Sequence, residues 1–207
     1  MSEQIYLPGA CSVAIKCKDG VVLGNDNRVT SLGGYMVTSK NTKKIFKLTD
    51  KVATTVSGLP ADFQTVVKII VANANLYELR EMEPMNTIAV GKMLANMLFQ
   101  RKMAPYYVNT TIAGVDEDGP KLFTMDAAGS LMPDDWGVGG SAATMAAGVL
   151  EAEYTVDITV EEGIKLVEKV IRASVKRDAF SGNGIDILAI TKDSTKEVSK
   201  PISELGE

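Results

Sequence analysis

Histidine does not occur among the 207 residues. That absence excludes Ser-His-Asp and Cys-His hydrolases, His-ligated zinc and HExxH metallopeptidases. Acid–base chemistry is left to Lys, Asp, Glu, Tyr or a chain-terminal amine. Cysteine is nearly absent: Cys11 and Cys17 are the only two. They bound the run CSVAIKC, which reads as a strand, and at ~3.3 Å per residue they stand about 20 Å apart, beyond disulfide reach. Two lone thiols fit a cytoplasmic protein, and without C-x-x-C there is no thiol-redox or zinc-ribbon signal. Basic residues are in deficit, 22 Lys and Arg against 26 Asp and Glu, a net charge of −4. This argues against nucleic acid as a partner. No apolar run reaches the ~18 residues of a membrane helix, so no membrane partner is expected. The start, MSEQIYLPG, has neither a basic nor an apolar stretch and is no secretory signal.

Several catalytic motifs are also missing. Gly139-Gly140-Ser141 lacks the Gly-Lys-Ser/Thr ending of a phosphate loop and reads better as a strand-to-helix turn. No Ser is followed three residues later by Lys, and none sits in G-x-S-x-G.

What remains is the composition of a folded protein, 45% apolar and 23% charged. The length suits one large domain. No linker or internal repeat interrupts it, and the polar tail after Lys192 reads as a short strand and a loose end.

Strands come first. Cys11–Cys17 and Val21–Asn25 flank an Asp-Gly hairpin turn at Asp19-Gly20. Residues 35–39, 44–48 and 51–57 follow. Pro60 opens a helix continued by Phe63, Val67, Ile70, Ala74 and Tyr77. Ile88, Gly91, Ala95 and Leu98 mark a second. Both have wide apolar faces, so both are expected to be buried between other layers. Strands return at 107–115 and 121–126 around an acidic turn, with another near Leu131. Ser141 is expected to N-cap a helix through Glu151. Thr159 and Glu162 form a capping-box pattern before the stripe Ile164, Val167, Ile171 and Ser174. Ile185–Thr191 closes the run as a strand. Segregated blocks of strands and helices indicate α+β layers, most simply two central sheets covered by helices on both outer faces.

Three places could carry chemistry. Asp26 follows an apolar strand and could orient a cation or simply cap a turn. Lys44, of the pair Lys43-Lys44, precedes apolar Ile45-Phe46. It could be a catalytic cation entering the sheets or one of a solvated pair. The segment Arg177–Gly184 (RDAFSGNG) sets a charge pair, a hydroxyl and two glycines at a helix-to-strand junction. A helix stop explains its glycines but not the whole set.

In order and spacing, Lys18-Asp19-Gly20-Val21-Val22-Leu23, Asp26-x-Arg28-x-Thr30, Lys43-Lys44-Ile45-Phe46, Gly148-Val149-Leu150-Glu151 and Arg177-Asp178-x-x-Ser181-Gly182-Asn183-Gly184-Ile185 resemble the archaeal proteasome β subunits. The resemblance runs from about Gly9 to Lys192. It implies an N-terminal nucleophile hydrolase with a four-layer αββα sandwich. Residues 1–9 would be a leader and 10–207 a single β-type domain. In the family, self-cleavage after the leader glycine exposes a threonine whose hydroxyl attacks peptide carbonyls and whose own α-amine takes the proton. A peptidase can therefore work without histidine.

The resemblance further implies that Asp26 orients Lys44, which lowers the cost of the alkoxide. Ser141, Asp178 and Ser181 would surround the terminal amine, and the Gly58 N–H would bind the oxyanion. Val29, Thr42, Phe46, Val56 and Pro60 would line an apolar pocket for the substrate side chain. No cofactor and no metal are implied. The implied partners are other β subunits in a seven-membered ring, two such rings stacked between rings of α subunits, and unfolded polypeptides delivered by an ATPase regulator. The implied location is cytoplasmic.

The departure is at the nucleophile. Gly9 matches the last leader residue, so Ala10 stands where threonine belongs. The attacking hydroxyl and the group that performs self-cleavage are both missing, and residues 1–9 are expected to stay attached. Cys11 is one residue along the strand and faces the other way. Ser12 is back on the correct face but roughly 6–7 Å further on. Two smaller departures are Ser31-Leu32-Gly33-Gly34, about two residues longer than in close archaeal relatives, and Gly140-Ser141-Ala142-Ala143 where Gly-Ser-Gly-Ser is usual. Three functions compete. One is a proteolytic subunit whose threonine has been replaced by alanine, which the retained Asp26, Lys44, Ser141, Asp178 and Ser181 suggest. Another is a naturally silent, structural β subunit of a mixed ring, which Cys11 and Ser12 suggest. The third is a stand-alone N-terminal nucleophile amidase.

Overall fold

A computed structural model describes residues 9–31 and 34–201. Residues 1–8 of the expected leader and Leu32-Gly33 of the longer stretch lie outside the described residues. So does the expected loose end from residue 202 on.

Strand β1 (Ser12–Cys17) turns through Lys18-Asp19 into β2 (Gly20–Asp26), as the Asp-Gly signal indicates. A small hairpin follows, β3 (Val29–Ser31) and β4 (Met36–Ser39), then β5 (Ile45–Lys47) and β6 (Val52–Gly58). Helices α1 (Pro60–Glu81) and α2 (Thr87–Gln100) come next. Strands β7 (Val108–Asp116), β8 (Gly119–Met125), β9 (Met132–Pro133) and β10 (Trp136–Gly139) precede helices α3 (Ala143–Glu153) and α4 (Val160–Val175). The final strands are β11 (Gly184–Thr191) and β12 (Thr195–Pro201).

Ten of these strands form two antiparallel sheets, in the orders β10-β1-β2-β11-β12 and β5-β6-β7-β8-β9. The two-residue side-chain period of a strand assigns each face to its own core. Cys11, just ahead of β1, and Val13, Ile15 and Cys17 on it point at α3 and α4, among Val167, Val170 and Ile171. Ala14 points the other way and meets Leu23, Ala53, Ala113 and Leu188 between the sheets. The far face of the second sheet packs Val52, Val56 and Ile112 under Phe63, Ile70, Leu94 and Leu98 of α1 and α2. Each large aliphatic side chain buried this way contributes about 1.5–3 kcal/mol. The result is the αββα sandwich of the N-terminal nucleophile hydrolases. Among the described residues, no helix is long and apolar enough to cross a membrane.

Three expectations change. Helices α1 and α2 are not buried between layers: they form one outer layer, and Leu76, Tyr77, Leu79 and Phe99 are exposed. Ser141 does not cap α3. The N-cap is Ala142, without a side-chain bond, because the Ser141 hydroxyl is committed to Asp178. The strand expected near Leu131 is two short ones, β9 and β10, the second pairing with β1. The capping box at Thr159 and Glu162 forms as read.

Candidate active site

The site lies where the start of β1 meets the open end of both sheets. Ala10 and Cys11 lead into β1 and are fully buried. Both are held by their backbones. The Ala10 N–H donates to Ser141 Oγ at 3.3 Å, and Ala10 O accepts from the Ala142 N–H at 3.2 Å. The Cys11 N–H donates to Asp26 Oδ1 at 2.8 Å, and Cys11 O accepts from the Asp26 N–H.

Asp26 ends β2 and is wholly inaccessible. Its Oδ1 also accepts from Lys44 Nζ at 2.8 Å. Its Oδ2 accepts from the Arg28 and Gly182 N–H groups, each at 3.0 Å. Four donors therefore converge on one carboxylate, which suits an ionised oxygen pair out of contact with water. Lys44, just ahead of β5, keeps 2% of its side-chain surface. Its carbonyl accepts from the Val56 N–H, which ties it to β6. Of the two readings of Asp26 and Lys44, cap and solvated lysine or paired ions, the structure has the paired ions.

A second polar chain stands on the other side of Ala10. Ser141 Oγ donates to Asp178 Oδ2 at 2.6 Å, and Ser181 Oγ donates to the same oxygen. The loop carrying Asp178 and Ser181 is fixed to β2 and β3 by Arg28, whose guanidinium donates to Asn183 Oδ1 and Ala179 O. Thus Ala10, Asp26, Lys44, Ser141, Asp178 and Ser181 are brought together from five separate stretches of chain.

Gly58 closes β6 with φ +128°, and a Cβ there would lie 2.1 Å from Tyr107 O. Only glycine fits. Gly58 borders two cavities. One, of about 570 Å³, is lined by Ser57, Asn109, Ser141, Asp178 and Phe180 among others. The other, of about 10 Å³, is bounded by Gly9, Val29, Lys44, Pro60 and Phe63. Val29 and Pro60 thus lie beside Gly9 and Lys44. Phe46 instead lines a separate cavity of about 370 Å³ with Lys43 and Val67. Val56 is buried in the core under α1 and α2. Thr42 is half-buried, and its N–H donates to Asn27 O.

Neither neighbouring nucleophile has a hydrogen bond to Lys44, Asp26 or Ser141 through its side chain among the described residues. The Cys11 thiol points into the core beneath α4, and burial pushes its pKa up to about 12. A thiol so placed is inert near neutral pH. The Ser12 hydroxyl is buried beside Gly139, close to Ser57 Oγ and Asn109 Oδ1.

Sequence patterns do not single out Ser57, Asn109, Tyr107 or Phe180. Phe180 has a visible signal, an aromatic residue inside a charged, glycine-rich loop. The others come from strand ends whose convergence depends on the sheet stacking.

Known proteins resemble the chain over nearly its whole length. The family model described as "Proteasome subunit" matches residues 7–190. "Proteasome subunit beta 2" of Caldivirga maquilingensis is 42% identical over 199 residues, 96% of this chain and 98% of that protein. "Proteasome subunit beta" of Methanosphaera stadtmanae is 40% identical, covering 97% of this chain and 95% of its own length. "Proteasome subunit beta" of Methanothermobacter thermautotrophicus is 35% identical over the full length of both chains. The chain belongs to the proteasome subunit family and is a β subunit of the archaeal type.

Proposed function

We propose that this β subunit builds part of the wall of a proteasome's proteolytic chamber without itself cutting peptide bonds. The observation that carries the reading is Ala10. It sits fully buried between the Asp26–Lys44 pair and the Ser141–Asp178–Ser181 chain, and its side chain is a methyl group. A peptidase of this family needs a hydroxyl there, and it needs a free α-amine with a pKa near ~7.7–8 to take its proton. With no hydroxyl at residue 10 there is no group to cut the bond to Gly9, so in this reading the Ala10 nitrogen remains a peptide N–H, which points at Ser141 Oγ. Residues 1–9 then stay attached as a leader, and residues 10–207 act as one β-type domain.

With a threonine at position 10, Asp26 and Lys44 would stabilise its alkoxide, Ser141, Asp178 and Ser181 would serve its amine, and the Gly58 N–H would receive the oxyanion. Of the residues implied for the substrate pocket, Val29 and Pro60, beside Gly9 and Lys44, would receive an apolar side chain, whereas Phe46 lines a different cavity and Val56 belongs to the core. The relatives' β-subunit names support a place beside α subunits in a core particle. The full arrangement is the implied one: seven-membered β rings between α rings, acting in the cytoplasm on unfolded polypeptides supplied by an ATPase.

The retained set does not by itself favour an active ancestor. Asp26 holds four donors from four parts of the chain, which is reason enough to keep it in a subunit that never cuts. That observation fits a naturally silent subunit and one whose threonine was replaced equally well. The test is Ala10→Thr. If the site is complete but for the hydroxyl, the substituted chain loses residues 1–9 and hydrolyses peptides. An Ala10→Thr chain that assembles but stays uncleaved and inert would show that the site has lost more than one oxygen.

A further inference from the structure

Phe180 stands between Asp178 and Ser181, and none of the assigned roles uses it. Its flanks are fixed. The Phe180 N–H donates to Asp178 Oδ1 at 3.2 Å, and Ala179 O accepts from Arg28. Its side chain is half-buried and forms one wall of the 570 Å³ cavity. Two glycines from other segments make room for it. A Cβ on Gly9 would lie 2.3 Å from Phe180 Cβ and 3.1 Å from Cγ. A Cβ on Gly34, at φ +94°, would lie 2.7 Å from Phe180 Cε1. The root of the ring therefore lies on the residue preceding Ala10, and its tip on the β3–β4 connection. Gly9 also borders the small cavity that contains Lys44 and Gly58.

We propose that Phe180 is a positioning residue that clamps the Gly9–Ala10 junction. It presses the peptide at Gly9 against the site and so keeps the Ala10 amide on Ser141 and the residue-10 side chain directed between Lys44 and Asp178. The Cβ of residue 180, which Phe180→Ala would keep, also makes glycine the one residue that fits immediately before position 10. The inference rests on the reading that this junction stays intact. Intact mass tests that reading separately.

The experiment is hydrogen exchange, read by mass spectrometry on the assembled particle, with Ala10 unchanged. Phe180→Ala is expected to speed exchange of the Ala10 amide by roughly tenfold or more through local opening. Phe180→Tyr, which keeps the ring, should leave it as in the unaltered chain, and the β1 amides beyond Val13 should be unaffected in both. Gly9→Ala, which drives a methyl into Phe180, should speed Ala10 exchange in the same way. A second arm uses Ala10→Thr. There the new hydroxyl oxygen bonds to the Gly9 carbonyl carbon as the C–N bond breaks and its proton passes to the nitrogen. Water then splits the ester. Phe180→Ala should slow that self-cleavage by about 100-fold, the cost of a junction misplaced by roughly 1 Å, and Phe180→Tyr should not. Unchanged Ala10 exchange in Phe180→Ala, or acceleration spread evenly along β1, would overturn the clamp.

Discussion

Asp26→Asn is the most informative single perturbation of the fold around the site. The carboxylate is inaccessible, and Lys44 beside it keeps 2% of its side-chain surface. Asparagine has the same shape but only one acceptor oxygen. If that oxygen faces Lys44 and the Cys11 N–H, the new amide N–H₂ confronts the Arg28 and Gly182 N–H groups. If it turns over, it confronts the other two. Either way two donors lose their acceptor and the lysine charge is left buried without a counter-ion. Breaking such a pair costs about 3–5 kcal/mol. For a domain of this size that corresponds to a fall in Tm of roughly 6–20 °C. Adding Lys44→Met removes the orphaned charge and should recover part of the loss. The assay is thermal unfolding of the assembled particle at fixed protein concentration, followed by circular dichroism. A Tm for Asp26→Asn within about 2 °C of the parent would refute the claim that this carboxylate holds the site together.

Further outcomes follow from the same geometry. Burial raises both thiols, Cys11 and Cys17, to about 12. The folded chain then keeps two protons that an unfolded chain releases above pH ~8.5, so stability declines as pH rises from there toward about 12, by up to ~1.4 kcal/mol per pH unit for each thiol. Cys11→Ala with Cys17→Ala should flatten the fall of Tm between pH ~8.5 and ~10.5, and an unchanged slope would contradict the assignment. In the Ala10→Thr background, Lys44→Met should lower peptide hydrolysis at least ~100-fold, whereas Ser12→Ala should leave it within about threefold. Equal losses from the two would mean that Ser12 takes part in the cutting.

The legible parts of the sequence are those decided locally. Asp19-Gly20 closes its hairpin, and Thr159 with Glu162 caps α4, because the partners lie within a few residues. The order of strand and helix blocks is enough for the layers, whereas the pattern alone leaves Asp26 and Lys44 open between two readings, and only the family resemblance groups them with Asp178 and Ser181. What fails is decided at long range. Ser141 has the chemistry of an N-cap, but its hydroxyl belongs to Asp178. The apolar faces of α1 and α2 suggest an interior position, yet Leu79 of α1 and Phe99 of α2 are among the exposed large apolar residues described. β10, with glycines at two of its four positions, carries little strand signal and exists through its pairing with β1. The place of Phe180 is hidden because its neighbours Gly9 and Gly34 are remote in sequence.

The most direct test of the account is the intact mass of this chain, recovered from assembled particles after exposure to a peptide epoxyketone. The chain should keep all residues before Ala10, at 22.1 kDa, and carry no adduct. A mature chain that begins at Ala10 through its own action, or one bonded to the epoxyketone, would contradict it.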